Sequence, residues 1–259
     1  MKSIDLYVRY YHLTRTAYKA ESEFHHRTLS LTCPVDEIAL VMVDVWSDHY
    51  VKTHLDRGRD ITLNRIIPVA DAFRSVGATV IHAPSPACAR RYDGWTEFAG
   101  DDEVHGRTAA AKDEWPPDDF RSKTGEYKKW ARPKDPPDQK FDDIIENRSI
   151  IPEAAPKEGD HVVLTGAQLH RLLKHRKILH LFYAGFAANM CVPFRDYGMR
   201  AMRDRGYDIV LIRDCTTAIE VDRTYDEKLL TLAAVTDTEI SVGSTIASEK
   251  LIEACQHVP

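Results

Sequence analysis

The sequence predicts an α/β protein built on a six-stranded parallel sheet with helices on both faces. Three observations carry that expectation. Short, continuously apolar, β-rich runs recur along the chain, they alternate with segments whose apolar residues fall at helical spacing, and Gly or Pro punctuates the joins. A strand buried on one face alternates apolar with polar residues. Unbroken apolar strands joined by helices therefore point to a parallel sheet covered on both sides.

Residues 1–36 read as an irregular N-terminal arm, whose Tyr7, Tyr10, Tyr11 and Phe24 suit packing against the body or a neighbouring subunit. The body, 37–259, opens with a strand at IALVMVDV (38–45), a helix over 61–75 stopped at Gly77, and a strand at ATVIHA (78–83). The tract 84–159 breaks this rhythm with WPPDDF, ARPKDPPD and three tryptophans, Trp95, Trp115 and Trp130. It is too long for an ordinary connection and reads as an insert that closes a pocket. The alternation resumes with HVVL (161–164), a helix over 167–176, a strand at ILHLFYA (178–184), a helix over 190–205 ended by Gly206, and a strand at YDIVLI (207–212). A helix near 222–235, a short strand at TEISV (238–242) and a last helix from about Thr245 complete the chain.

Composition narrows the function. With a net charge of -5 and no long basic run, the chain has no general attraction to nucleic acid. Charges interrupt the N-terminal segment too often for a signal-peptide core, and no apolar run approaches membrane-spanning length, so a cytoplasmic protein without a membrane partner is expected. The five cysteines are scattered and form no CxxC pair, which supports neither a disulfide framework nor a cysteine zinc site.

In a parallel sheet the ligand crevice lies beyond the carboxyl ends of the strands, so residues just past those ends share one site. That rule gathers Asp44, His82, Thr165, Cys191 and Asp214. Cys191 stands where a helix is expected to begin, and the unpaired N–H groups there would stabilise a thiolate and lower its pKa. A cysteine is more often a small buried hydrophobe, but this position suits a nucleophile. The turn GFAANM before it offers backbone N–H groups for an oxyanion. Asp214 and Thr216 read as turn caps, Glu220 as a helix-entry residue, and Cys88 and Cys215 as structural.

ALVMVDVW, VIHA and FYAGFAANMCVPFRDYGMRAMRDRGYDIVLIRDC together resemble the isochorismatase-like cysteine hydrolases, over about 36–83 and 160–256. The resemblance implies a thiol hydrolase in which Cys191 attacks a carbonyl carbon and Asp44 carries the proton. It also implies an oxyanion hole from the backbone N–H groups of Ala187 and Cys191, and a cis peptide between Phe186 and Ala187. No cofactor is expected, and the partners are a small-molecule substrate and, as a homodimer or homotetramer, further copies of the chain. Some relatives hold a metal near the first two strands, but Asp48, His49, His54 and His82 fit no tight metal signature, and none is expected. Trp46, His82 and Trp130 are taken as substrate-binding residues.

The family's catalytic lysine just past the third strand has no counterpart, since HVVL runs into TGAQLHRLL. Lys123, Lys128, Lys129 and Arg132 of the insert are the candidates to replace it. Three functions remain in view: cleavage of a carbon–nitrogen bond in a small amide, carbamoyl or ureido compound; a catalytically silent binding or regulatory module; and hydrolysis of an isochorismate-type vinyl ether.

Overall fold

The computed structural model describes residues 2–13, 16–105 and 115–258; residues 14–15 of the arm and 106–114 of the insert lie outside them. The strands are β1 (Ser3–Tyr11), β2 (His26–Pro34), β3 (Ile38–Val43), β4 (Thr79–Ala83), β5 (His161–Val162), β6 (His180–Phe186), β7 (Asp208–Thr217) and β8 (Ser244–Ile246). They form one sheet in the order β2-β1-β8-β7-β6-β3-β4-β5. From β8 to β5 the strands are parallel, while β1 and β2 add an antiparallel hairpin at one edge.

Why the central strands read as continuous apolar runs is visible in where their side chains go. Along β3, Ile38, Leu40 and Met42 join the core on one face and Ala39, Val41 and Val43 the core on the other. β6 divides in the same way, with Phe182 and Ala184 on the first face and Leu181 and Tyr183 on the second. Val69, Ala70 and Phe73 of helix Ile67–Val76 and Leu251 and Cys255 of helix Ser248–Gln256 cover the first face. Leu169, Leu172 and Leu173 of helix Gly166–Arg176 and Met199 and Met202 of helix Met199–Asp204 cover the second.

Four expectations need correction. The arm is ordered as the β1–β2 hairpin, with Ile4, Leu6 and Val8 buried in the body's own core. TEISV is a π-helical turn, Thr238–Val242, that extends helix Leu229–Asp237, and the strand follows at Ser244–Ile246. Gly243 permits that step, because a Cβ there would lie 2.2 Å from the Ile209 carbonyl oxygen. The helix expected over 190–205 is two short helices, Cys191–Phe194 and Met199–Asp204, separated where Arg195 is extended. Finally, His82 lies inside β4 and Asp214 inside β7, not past the ends of those strands.

The chain runs from β3 outward through β4 to β5, then returns to place β6 on the other side of β3 and continues to β7 and β8. The direction of winding reverses between β3 and β6. Crossovers leave on opposite faces at such a point, which opens a crevice at the carboxyl ends of the two strands. Asp44 follows β3 there, and the turn leading to Cys191 follows β6.

Candidate active site

β3 delivers Asp44 to the crevice in a left-handed backbone conformation, φ +49°, which is uncommon for a residue with a side chain. Its main chain is held on both sides: the Asp44 N–H donates to the Ala83 carbonyl at 3.3 Å, and the Trp46 N–H donates to the Asp44 carbonyl at 2.9 Å. The residue is 1% exposed, and neither carboxylate oxygen accepts a formed hydrogen bond among the described residues. Burial raises its pKa, while the facing Cys191 thiol and then the Arg195 and Arg148 guanidinium groups oppose that rise.

β6 can reach the same crevice because residue 185 is glycine. Gly185 has φ +113°, and a Cβ there would lie 1.9 Å from the Val43 carbonyl oxygen at the end of β3. The Phe186–Ala187 peptide that follows is cis. The Ala187 carbonyl then accepts from Met190 N–H at 3.0 Å and Val192 N–H at 3.3 Å, closing the turn. Among the described residues, the N–H groups of Ala187 and Cys191 have no acceptor within the chain.

Cys191 is half-buried, whereas Cys33, Cys88, Cys215 and Cys255 are buried. Its thiol is not preset as a thiolate. Burial, and then the negative charge of Asp44, push it up to about 11, with Arg195 pulling the other way. The helix expected to stabilise a thiolate is a single turn, Cys191–Phe194. At neutral pH Cys191 therefore rests as a thiol.

The cation at this pair comes from an unexpected place. Arg195 Nη2 lies 3.6 Å from Asp44 Oδ2. Thr165, near the place where the resemblance calls for a lysine, caps helix Gly166–Arg176 by accepting from Gln168 N–H at 3.0 Å and donates to Glu103 at 2.6 Å. The insert candidates are elsewhere: Lys123 lies over the Phe120 ring, Lys129 lies over the Trp130 ring, and Lys128 and Arg132 are exposed. The only signal in the sequence was spacing, since Arg195 stands four residues, about one helical turn, after Cys191.

A cavity of about 190 Å³ opens beside Cys191 and Ala187. Trp46, His49, His54 and Phe186 form part of its wall, and the insert adds Phe141, Ile145 and Arg148. Of the expected substrate-binding residues, Trp46 lines this cavity. The structure does not bring His82 or Trp130 to it. His82 is buried and paired with Asp160 at 2.8 Å, in a cluster with Arg74, and Trp130 is exposed and stacked on Tyr127. Trp95 stacks with Arg90, and Trp115 is exposed.

Burial lowers the pKa of His49, and lowers that of His54 to about 4, so both imidazoles are neutral near pH 7. His54 Nδ1 is 3.2 Å from the Ala218 carbonyl, and the His49 Nδ1 accepts from Val51 N–H at 3.0 Å. Asp48 pairs with Lys140 at 3.7 Å. Among the described residues no three His, Cys, Asp or Glu side chains gather in a metal-holding group. Asp214 and Glu220 serve as helix caps: Asp214 accepts from Ser248 N–H at 2.8 Å, and Glu220 from Leu230 and Thr231 N–H at 3.0 and 2.9 Å.

Set against known proteins, residues 38–240 match the isochorismatase domain family, which is more than three quarters of the chain. The chain belongs to the isochorismatase family. It is accordingly a hydrolase. The fold is similar to that of a cysteine hydrolase from Pseudomonas syringae pv. phaseolicola 1448A, with a TM-score of 0.53 at 15% identity, over 86% of this chain and 94% of that one. Two further structures are an isochorismatase family protein from Burkholderia thailandensis (TM-score 0.49, 16% identity, 85% and 96% covered) and an isochorismatase from Pseudomonas putida KT2440 (TM-score 0.49, 16% identity, 83% and 90% covered). Among the described residues no helix is long and apolar enough to cross a membrane.

Proposed function

We propose that this family member is a cysteine hydrolase that cleaves a carbon–nitrogen bond of a small amide, carbamoyl or ureido compound through an acyl-thioester on Cys191. The observation that carries the reading is the buried carboxylate of Asp44 facing a half-buried thiol, with Arg195 3.6 Å away. A carboxylate held almost wholly out of water is costly, and a proton-carrying role accounts for its place.

In the first step Asp44 takes the thiol proton as the Cys191 sulfur attacks the carbonyl carbon. The raised pKa of Asp44 makes it a stronger base for that proton. The free N–H groups of Ala187 and Cys191 hold the developing oxyanion. Protonated Asp44 then gives its proton to the leaving nitrogen, the carbon–nitrogen bond breaks, and the acyl-thioester remains. Water activated by Asp44 attacks that thioester and releases the acid and the thiol. Through the cycle Arg195 stabilises the carboxylate against the neighbouring sulfur charge.

A thiol nucleophile suits a carbonyl carbon better than a vinyl ether, which offers no such centre. The silent-module alternative drew on the missing lysine, and Arg195 provides a cation without it. The five free cysteines support a reducing, cytoplasmic setting. The test is mass spectrometry of the intact protein after incubation with a panel of small amides. A covalent acyl adduct on Cys191, absent from Cys191→Ala, is expected; turnover of an amide by Cys191→Ala at the wild-type rate would overturn the reading.

A further inference from the structure

Arg148 is the one permanent charge among the described residues that line the Cys191 cavity. Around it stand the apolar side chains of Phe141, Ile145 and Phe186 and the neutral imidazoles of His49 and His54. Its guanidinium carbon lies 3.7 Å from the centre of the Trp46 ring. No acid among the described residues pairs with it. Asp48, which shares its neighbourhood, is taken by Lys140 at 3.7 Å, and Asp44 has Arg195 at 3.6 Å.

Stacking on an aromatic ring offsets part of the cost of removing a guanidinium from water, but it leaves the in-plane N–H fork open. That fork matches the two oxygens of a carboxylate, and paired charge-assisted bonds of this kind are among the stronger polar contacts. Trp46 holds the guanidinium in position, and the insert places it in the same wall as the nucleophile.

We propose that Arg148 binds a carboxylate of the substrate, so that the compound cleaved at Cys191 is a small amide, carbamoyl or ureido compound carrying a carboxylate away from the scissile bond. The inference rests on the cavity beside Cys191 being the active site. It further implies that the reaction supplying the substrate delivers an acid already bearing that nitrogen group.

The test compares two alkylating agents of nearly equal shape, iodoacetate and neutral iodoacetamide, by the rate at which each forms a carbon–sulfur bond at Cys191 with loss of iodide. Peptide mapping reports the modified residue. In the full-length protein the rate ratio of iodoacetate to iodoacetamide at Cys191 should exceed the ratio for a free thiol in solution. Arg148→Gln should lower that ratio about tenfold or more. Arg148→Lys, which keeps the charge without the fork, should restore part of it and guards against a folding defect in the first variant. The same ratio in wild type and in both variants would overturn the carboxylate assignment while leaving the thiol mechanism intact. A Cys191 that neither reagent modifies in the wild type would overturn the thiol mechanism, and this proposal with it.

Discussion

Asp44 and Cys191 are coupled groups, and their pairing gives a prediction with two opposite readouts. The negative charge of Asp44 raises the thiol pKa, so Asp44→Asn lowers it from about 11. The alkylation rate of Cys191 follows the thiolate fraction, and its pH profile should move to lower pH in this variant. Turnover should nevertheless fall by roughly two to four orders of magnitude, because the proposed proton carrier is gone. Near-normal turnover in Asp44→Asn would remove the proton-carrying role. Arg195 has the reverse sign on both groups. It lowers the pKa of the acid and of the thiol, so Arg195→Ala should shift the alkylation profile to higher pH and reduce kcat about tenfold or more. Arg195→Lys should recover part of both. Unchanged profiles in Arg195→Ala would show that the 3.6 Å contact with Asp44 has no electrostatic effect.

Two elements meet at a distance that admits no side chain. The 1.9 Å approach of a Cβ at Gly185 to the Val43 carbonyl, combined with φ +113°, means that Gly185→Ala must displace β6 from β3 or distort the turn carrying Ala187 and Cys191. A cost of at least about 3 kcal/mol is expected from strain and clash together. Denaturant unfolding measures it directly, and a loss below about 1 kcal/mol would mean that the two strand ends separate easily. The insert is the other informative element. Its pocket-forming part is helix Gln139–Asn147 with Arg148, which contributes Phe141 and Ile145, and not the tryptophan-bearing stretch before it.

On the scale of the molecule, one of the four tryptophans touches the cavity. Ligand binding should therefore change the fluorescence of Trp46, and Trp46→Phe should remove most of that change. A response that persisted in Trp46→Phe would bring Trp95, Trp115 or Trp130 back as the reporter and favour closure by the earlier part of the insert. The N-terminal hairpin works at this scale too. Arg9 Nε and His26 Nε2 each lie 2.8 Å from the buried Glu239, which also accepts from Thr245 Oγ1 at 2.6 Å, so the hairpin is fastened to the π-turn preceding β8.

The sequence by itself determined the parallel sheet, the positions of Asp44 and Cys191, and the turn between Phe186 and Cys191. Those features are local: an unbroken apolar run such as ALVMVDV records burial on both faces, and the residue after it must emerge at the carboxyl edge. It located TEISV wrongly, because five residues with three β-branched side chains fit a strand and a buried helical turn alike. It also missed the hairpin, since only β1 alternates clearly between buried and exposed residues while β2 is exposed along most of its length. Tertiary structure alone decided which cation reaches the carboxylate and which side chains line the cavity. Arg195 serves because the chain breaks its helix after Phe194, and Arg148 because the insert returns to stack on Trp46. His82 is excluded because Asp160 and Arg74 hold it in a buried cluster. Charge acts over a few ångströms in space, whatever the separation in sequence, and only the packed fold sets those distances.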